Sequence, residues 1–258
     1  GLFLEALQVI TAKNPLPFIT GTICAHHCMD KCMRNNYECP VNIRGTKLQA
    51  AEGAFEELLA ITEMSREGEK VAIIGGGPAG LAAAYHAQKH GLQATVFEKR
   101  ETLGGIVRNV IPGFRIGDDA IDNDIALIKK TGAEFVMGKE APDVKELKAM
   151  GFDYIVLACG AEKKGRLNIE GNVMNVIDFL YAFKNGGELK LGRNVAVVGG
   201  GNTAMDAARA AKRAEGVEKV TLVYRRNRRY MPADLEELEL AIEDGVEFME
   251  LASPVKQA

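Results

Sequence analysis

The sequence lacks a long apolar run and has no strong excess of either charge. No hydrophobic run reaches the roughly 18 to 20 residues that cross a bilayer, and the first residues lack the basic-then-apolar layout of a secretory signal. We therefore expect a cytoplasmic protein with no membrane partner. The formal net charge is only -3, with 32 basic and 35 acidic residues. Without an overall basic field, nucleic acid is not an expected partner.

Cysteine is scarce, and no CxxC pair occurs, which disfavours a thioredoxin-reductase-type dithiol. Four of the five cysteines, Cys24, Cys28, Cys32 and Cys39, fall within 16 residues. In a cytosolic protein such crowding indicates a metal site before a disulfide, and thiolates hold either iron-sulfur clusters or zinc. Cys159 follows an apolar strand, and we interpret it as a small buried residue.

The 258 residues are 47% hydrophobic and 26% charged, enough for about two domains. Residues 1–67 contain the four clustered cysteines and a helix predicted from Thr46 to Ser65. From residue 71 onward strands and helices alternate, which is typical of parallel sheets built from βαβ units. We predict an α/β fold with two Rossmann-like nucleotide-binding units, 68–190 and a truncated 191–258, after a small α-helical iron-sulfur segment. A start without Met and an end without a closing helix indicate a fragment.

The first glycine loop, residues 75–80, joins the apolar strand 71–74 to a helix predicted over 81–90. In this pattern the first glycine permits a tight turn, the second lets the backbone approach a pyrophosphate, and the third lets helix and strand pack closely. The next strand ends at Glu98, whose carboxylate can accept hydrogen bonds from a ribose diol. A glycine-rich turn is the alternative, but this context predicts a dinucleotide site formed by Gly75, Gly77, Pro78, Ala79 and Gly80.

The residues after Glu98 indicate which dinucleotide binds. The chain after Glu98 runs from Lys99 to Leu103 and then to the glycine pair Gly104 and Gly105. This acid-plus-diglycine stretch resembles that of flavoprotein reductases, in which the glycine pair lies against FAD. The resemblance implies that the first site holds FAD.

The second glycine loop, residues 199–204, has the same design, with Gly199, Gly201 and Ala204 at the three key positions. Its following strand ends in Tyr224, Arg225 and Arg226 in place of an acid. A carboxylate would repel a ribose 2'-phosphate, whereas paired guanidiniums bind it through charged, forked hydrogen bonds. The pattern favours NADPH over NADH, and a solvated basic loop is the alternative.

Residues along essentially the whole chain carry a family resemblance. They are Asn14 to Pro17, Thr20 to Cys24 with Cys28 and Cys32, Gly75 to Gly80, Glu98 to Gly105, Ile111 to Arg115, Ala158 to Ala161, Gly199 to Asp206, Tyr224 to Arg226 and Met231 to Ala233. Together they resemble the glutamate synthase small subunit and the N-terminal part of dihydropyrimidine dehydrogenase. Residues 108–116 are especially similar to a bacterial branch that carries the name selenate reductase iron-sulfur subunit.

The resemblance implies an electron-transfer flavoprotein in which NADPH reduces FAD and 4Fe-4S clusters pass electrons to a large catalytic subunit or fused domain. Cys24 and Cys28 would ligate one cluster and Cys32 the other. The remaining residues that it implies for cofactor binding are Arg115 and Gly160 at FAD, and Asn202, Thr203, Arg225 and Arg226 at NADPH. No side chain need act as an acid or a base, because the cofactors carry the chemistry.

Three alternatives remain open at this stage. The first is a self-contained cluster held by all four clustered cysteines, because Cys39 has no counterpart in the family pattern. The second is a nucleotide-binding sensor domain that transfers no electrons. The third is a flavin reductase that is stapled by zinc.

Overall fold

The computed structural model describes residues 1–64, 67–161, 165, 169–171 and 173–256. The chain divides into two compact units, Gly1–Arg108 with Gly113–Ala161, and Asn109–Pro112 with Glu162–Ala258. Each unit contains one parallel sheet flanked by helices in the described residues. The predicted α/β class with Rossmann-like units is thereby confirmed, while the proposed boundaries near residues 67 and 190 stay predictions.

The first unit is built on a four-stranded parallel sheet of order β3-β2-β1-β4. Its strands are β1 Lys70–Ile74, β2 Gln93–Glu98, β3 Glu134–Met137 and β4 Tyr154–Leu157. The helices up to this point are α1 Phe3–Thr11, α2 Pro17–Ile23, α3 His27–Asp30, α4 Ile43–Ile61, α5 Pro78–Lys89, α6 Gly105–Asn109, α7 Asp118–Lys130 and α8 Val144–Ala149. Because all four strands are parallel, their carboxyl ends share one edge of the sheet.

The centre of this sheet follows from its apolar strand. Val71, Ala72 and Ile73 of β1 are fully buried, since β1 pairs with β2 on one side and β4 on the other. α5 begins earlier than predicted, at Pro78, because a proline at the first helical position gives up only an amide that lacks an intrahelical partner.

The N-terminal region is more helical than the sequence predicts. α4 is the predicted helix, begun by the Asn42 side chain, which accepts from the Gly45 amide, and kinked at Ala54. α1 and α2 pack against it, with the rings of Phe18 and Phe55 edge to face at 5.0 Å. The clustered cysteines lie from the end of α2 to the chain before α4. No helix among the described residues is long and apolar enough to cross a membrane.

The second unit contains a three-stranded parallel sheet of order β5-β6-β7. Its elements are α9 Val176–Lys184, β5 Asn194–Val198, α10 Asn202–Lys212, β6 Lys219–Tyr224, α11 Leu235–Glu243 and β7 Glu247–Glu250. Met205, Leu222 and Leu238 are fully buried in its core. Asp244, just after α11, accepts from Arg209 at 2.7 Å and from Arg213 at 2.6 and 2.9 Å. These ion pairs fix α11 against α10.

The interpretation of Cys159 as a buried residue is wrong, because its side chain is exposed. It follows β4, which pairs only with β1 among the described residues. Leu157, two residues earlier and on the same face of the strand, is 70% exposed. An apolar run predicts burial only where a neighbouring element covers both faces of the strand.

Candidate functional site

The first glycine loop has the geometry that a pyrophosphate requires. Gly75 has a φ of +111°, and a Cβ there would lie 2.4 Å from the carbonyl oxygen of Ala158. A Cβ on Gly80 would lie 1.8 Å from the carbonyl oxygen of Gly75. At Gly77 the nearest atom to such a Cβ is 3.8 Å away. The first and third glycines are thus required by the fold, while the second leaves open space at the start of α5.

The glycine pair packs directly on this loop. The Gly104 amide donates to the Gly76 carbonyl oxygen at 2.8 Å. A Cβ on Gly105 would lie 2.8 Å from the Cα of Gly77. The two segments that the sequence assigns to one nucleotide are therefore adjacent, with α5 beginning at Pro78 and Ala79 beside them.

Glu98 ends β2 beside the same loop and is only 5% exposed. Its Oε2 accepts from the Gly76 amide at 2.7 Å, and its Oε1 accepts from the Arg100 amide at 2.9 Å. Each carboxylate oxygen has a second lone pair available. The carboxylate is thus held in place by backbone amides and can accept hydrogen bonds from hydroxyl groups.

The remaining residues assigned to the first nucleotide are placed less directly. Gly160 follows β4 at the carboxyl edge of the sheet, with a φ of +76°. Arg115 is half-buried in the segment between α6 and α7, and Lys99 is exposed after β2. Their contacts with a bound nucleotide stay predictions.

The second glycine loop repeats the backbone design. The Gly199 amide donates to the Val223 carbonyl oxygen at 3.0 Å, as the Gly75 amide donates to that of Phe97 at 2.8 Å. Gly199 has a φ of +153°, and no atom of the described residues lies within 4 Å of a Cβ built on Gly201. The space beside the second glycine is again open, at the start of α10.

The chain after β6 returns to this loop, which sequence reasoning missed. The Ala233 amide donates to the Gly200 carbonyl oxygen at 3.0 Å. Asn202 accepts from the Asp234 amide at 3.0 Å and donates to the Asp234 carboxylate at 3.3 Å. Thr203 is exposed beside Asn202 in the first turn of α10. In the sequence, the one indication that this segment contacts the glycine loop was that residues 231–233 carry part of the family resemblance.

Arg225 and Arg226 are exposed and line one open cleft of about 420 Å³. The cleft is completed by Asn227, Tyr230 and Leu251. The Tyr224 hydroxyl donates at 2.6 Å to the carbonyl oxygen of Tyr230, which lines the cleft. None of the described residues that line the cleft is acidic, so the two guanidiniums form a site suited to a phosphate group.

The cysteines follow α2 and occupy different surroundings. The Cys24 carbonyl oxygen accepts from Arg44 at 3.3 Å, and Cys28 is exposed. Hydrogen bonds from the Val41 backbone, and then from that of Arg34, lower the pKa of the Cys32 thiol. Within the described part of the chain, no three His, Cys, Asp or Glu side chains converge as a metal site. The assignment of Cys24, Cys28 and Cys32 to clusters stays a prediction, and Cys39 is exposed.

Comparison with known families defines the class of protein. Residues 69–257 match the family model described as pyridine nucleotide-disulphide oxidoreductase. The match covers both glycine loops and the strands and helices around them. The chain therefore belongs to the pyridine nucleotide-disulphide oxidoreductase family.

Individual relatives show which members of this family the chain is similar to. The chain is 44% identical over 98% of its length to YgfK of Escherichia coli (strain K12), which is named provisionally as an oxidoreductase, and covers 25% of it. It is 37% identical over 95% of its length to the NADPH-Fe(3+) oxidoreductase subunit beta of Geobacter sulfurreducens, covering 38% of that protein. It is 31% identical over 96% of its length to the glutamate synthase (NADPH) small chain of Escherichia coli (strain K12), covering 57%.

The glutamate synthase resemblance is confirmed by these relatives, although the chain spans only a quarter to somewhat over half of their lengths. Among solved structures, 2-naphthoyl-CoA reductase superposes with a TM-score of 0.61 at 22% identity, over 84% of this chain and 33% of that one. Thioredoxin reductase of Lactococcus lactis gives a TM-score of 0.53 at 21% identity, over 74% and 67%. At these identities the likeness concerns the fold alone.

Proposed function

We propose that this chain is the electron-input part of an NADPH-dependent FAD and iron-sulfur oxidoreductase. In this proposal it delivers electrons to a large catalytic subunit or fused domain in the cytoplasm. One observation carries the proposal: two glycine loops share a backbone design, but the strand after each ends in opposite chemistry. The first ends in the buried acid Glu98, and the second ends in the exposed pair Arg225 and Arg226.

The first glycine loop fits FAD. The open space beside Gly77 accommodates a pyrophosphate at the start of α5, where unpaired amides and the helix dipole favour negative charge. Glu98, held by the amides of Gly76 and Arg100, is placed to accept from the ribose hydroxyls. The glycine pair at 104–105 offers backbone without side chains next to this space.

The second glycine loop fits NADPH. A pyrophosphate beside Gly201 and Asn202 leaves the adenosine ribose directed to the end of β6, as in other βαβ nucleotide sites. The cleft lined by Arg225 and Arg226 would take the 2'-phosphate through charge-assisted hydrogen bonds. NADH, which lacks that phosphate, gains nothing from the two guanidiniums.

When bound near Gly77 and Glu98, FAD would supply the redox chemistry, which is the exchange of a hydride with a reduced nicotinamide for single electrons. This chain supplies binding, orientation and the local charge. In this proposal, Cys24, Cys28 and Cys32 are cluster ligands. Two relatives are named as beta subunits, of an NADPH-Fe(3+) oxidoreductase and of an NADP(+)-dependent formate dehydrogenase, which supports a partner module.

The proposal is tested on the full-length protein purified without oxygen. We expect the absorption of a flavin together with the broad shoulder of iron-sulfur clusters, and we expect NADPH to bleach both. Flavin without bleaching by NADPH would favour a nucleotide-sensing role. Metal analysis that finds zinc, with neither iron nor sulfide, would favour a zinc-stapled flavin reductase.

A further inference from the structure

A fully buried carboxyl group joins two distant parts of the first unit. Asp124, on α7, has no exposed surface. Its Oδ2 accepts from the Ile19 amide at 2.8 Å, and its Oδ1 accepts from the Phe18 amide at 3.1 Å. The two bonds connect α7 to the first turn of α2 across more than 100 residues of sequence.

These bonds replace a cap that α2 lacks. The first amides of a helix have no intrahelical partner, and a side chain at the N-cap normally accepts from them. α2 follows Leu16, which provides no such oxygen, so Asp124 takes this role from another helix. Burying a carboxyl group is costly unless hydrogen bonds compensate, so this position is demanding for any other residue.

α2 leads directly to the cysteines. The Cys24 amide donates to the Thr20 carbonyl oxygen at 3.3 Å, which closes the last turn of α2. Arg44 then holds the Cys24 carbonyl oxygen. A displacement of the first turn of α2 would therefore move Cys24.

The same α7 is connected to the first glycine loop. Arg108 pairs with Asp118 and Asp122 of α7, and its Nε donates to the Leu103 carbonyl oxygen at 2.7 Å. The next residue, Gly104, donates to the Gly76 carbonyl oxygen. A continuous set of contacts therefore runs from the glycine loop through Arg108 and α7 to Asp124, and on through α2 to Cys24.

We propose that Asp124 is a positioning residue, which fixes the cysteine segment relative to the first glycine loop. The proposal rests on the proposed function where it takes these two ends as cluster ligand and flavin site. Electron transfer between bound groups depends steeply on their separation. Loosening α2 should therefore slow the step from flavin to cluster and leave the reduction of the flavin by NADPH intact.

The first test needs no variant. In the full-length protein, hydrogen exchange should find the amides of Phe18 and Ile19 at least about tenfold more protected than the first-turn amides of α7, at Asp119 and Ala120, which serve as the internal reference. Equal exchange at the two helix starts would overturn the anchoring role. This result does not depend on any cofactor, so it separates the anchoring role from the proposed function.

The second test uses Asp124→Asn, which keeps the shape but replaces one accepting oxygen with an NH2 group. Asp119→Asn, at an exposed position in the first turn of α7, is the matched control. In stopped-flow measurements on the full-length protein, we expect Asp124→Asn to leave flavin bleaching by NADPH within twofold, to slow iron-sulfur bleaching at least fivefold, and to speed exchange at Ile19. Asp119→Asn should change none of these.

Equal slowing of both steps would show a general structural role and overturn the proposal, as would unchanged iron-sulfur bleaching with faster exchange at Ile19. Should the variant fail to fold, exchange in the unmodified protein still decides the anchoring. Absence of any bleaching by NADPH in the unmodified protein would contradict the proposed function, whatever the exchange shows.

Discussion

The two glycine loops solve the same backbone problem and differ in what surrounds it. In both, the first glycine adopts a positive φ and donates to the end of the neighbouring strand, and the second leaves open space at a helix start. The first loop is closed by a buried carboxylate at Glu98 and a packed glycine pair. The second is bordered by an exposed cleft with two guanidiniums. In the proposed function, this shared backbone geometry serves nucleotide binding in both loops, and the residue that ends the next strand selects the nucleotide.

The largest effect should come from the third position of each loop. Gly80→Ala places a Cβ 1.8 Å from a backbone oxygen, and we expect it to destabilise the first unit by more than about 3 kcal/mol. The converse change, Ala204→Gly, should cost only about 1 kcal/mol, the usual price of glycine in a helix. Urea unfolding followed by circular dichroism measures both. Similar costs for the two would break the comparison.

The next effect tests the difference at the strand ends. We expect the double change Arg225→Ala with Arg226→Ala to raise KM for NADPH by about 100-fold, because it removes charged hydrogen bonds to the 2'-phosphate. KM for NADH should change less than about threefold, since the ligand lacks that phosphate. Arg229→Ala, a nearby arginine that does not line the cleft, is the control and should leave both within about twofold. Equal losses for NADPH and NADH would contradict the assignment.

A smaller effect tests what the loops share. Gly77→Ala and Gly201→Ala meet no close protein atom, so we expect thermal stability to stay within about 0.5 kcal/mol of the unmodified protein. The added methyl groups enter the space assigned to a pyrophosphate. We therefore expect about tenfold weaker binding of FAD for the first change and of NADPH for the second, measured by titration calorimetry. Unchanged affinities would show that the open spaces are not nucleotide sites.

The last comparison concerns acids of opposite character in the two units. Burial raises the pKa of Asp124 to about 7, against the lowering effect of the Ile19 and Phe18 amides. Between pH about 4 and about 7, the Asp124 carboxyl is therefore protonated in the folded first unit and ionised in the unfolded chain. Stability from this group is full below pH about 4 and declines as pH rises to about 7, by at most about 1.4 kcal/mol per pH unit.

Asp244 in the second unit should behave in the opposite way. A hydrogen bond from Arg213, followed by one from Arg209, lowers its pKa against the opposing effect of burial. Its stabilisation is present above pH about 4 and is lost as pH falls through the lowered pKa. The free energy of unfolding should be measured against pH for Asp124→Asn and Asp244→Asn. The first variant should lose the decline with rising pH, and the second should lose the decline with falling pH. Parallel slopes in both variants would contradict this contrast.

The sequence predicts those elements whose residues determine them locally. The apolar strand predicted over 71–74 is β1, Lys70–Ile74, and the glycine loops lie between strand and helix as expected. The helices Phe3–Thr11 and Pro17–Ile23 were missed, because their stability comes from packing on α4 and from Asp124. Neither contact is visible in local periodicity.

The site shows the same division. Glu98, Arg225 and Arg226 lie at the ends of β2 and β6 as the sequence predicts, because the βαβ pattern fixes these positions. Their contacts with a nucleotide stay predictions. Tyr230 and Asp234 were missed, since only the folded chain brings the segment after β6 back to the second glycine loop. Cys159 was misjudged because burial of an apolar strand depends on what covers it.

The long-range bond from Asp124 has a consequence for how the protein is made. The amides of α2 emerge from the ribosome about 100 residues before the carboxyl group that accepts from them. At ordinary rates of translation this interval lasts about 5 to 20 s. During that time the first amides of α2 lack the carboxylate oxygens that accept from them, so α2 gains this cap only after α7 has been made.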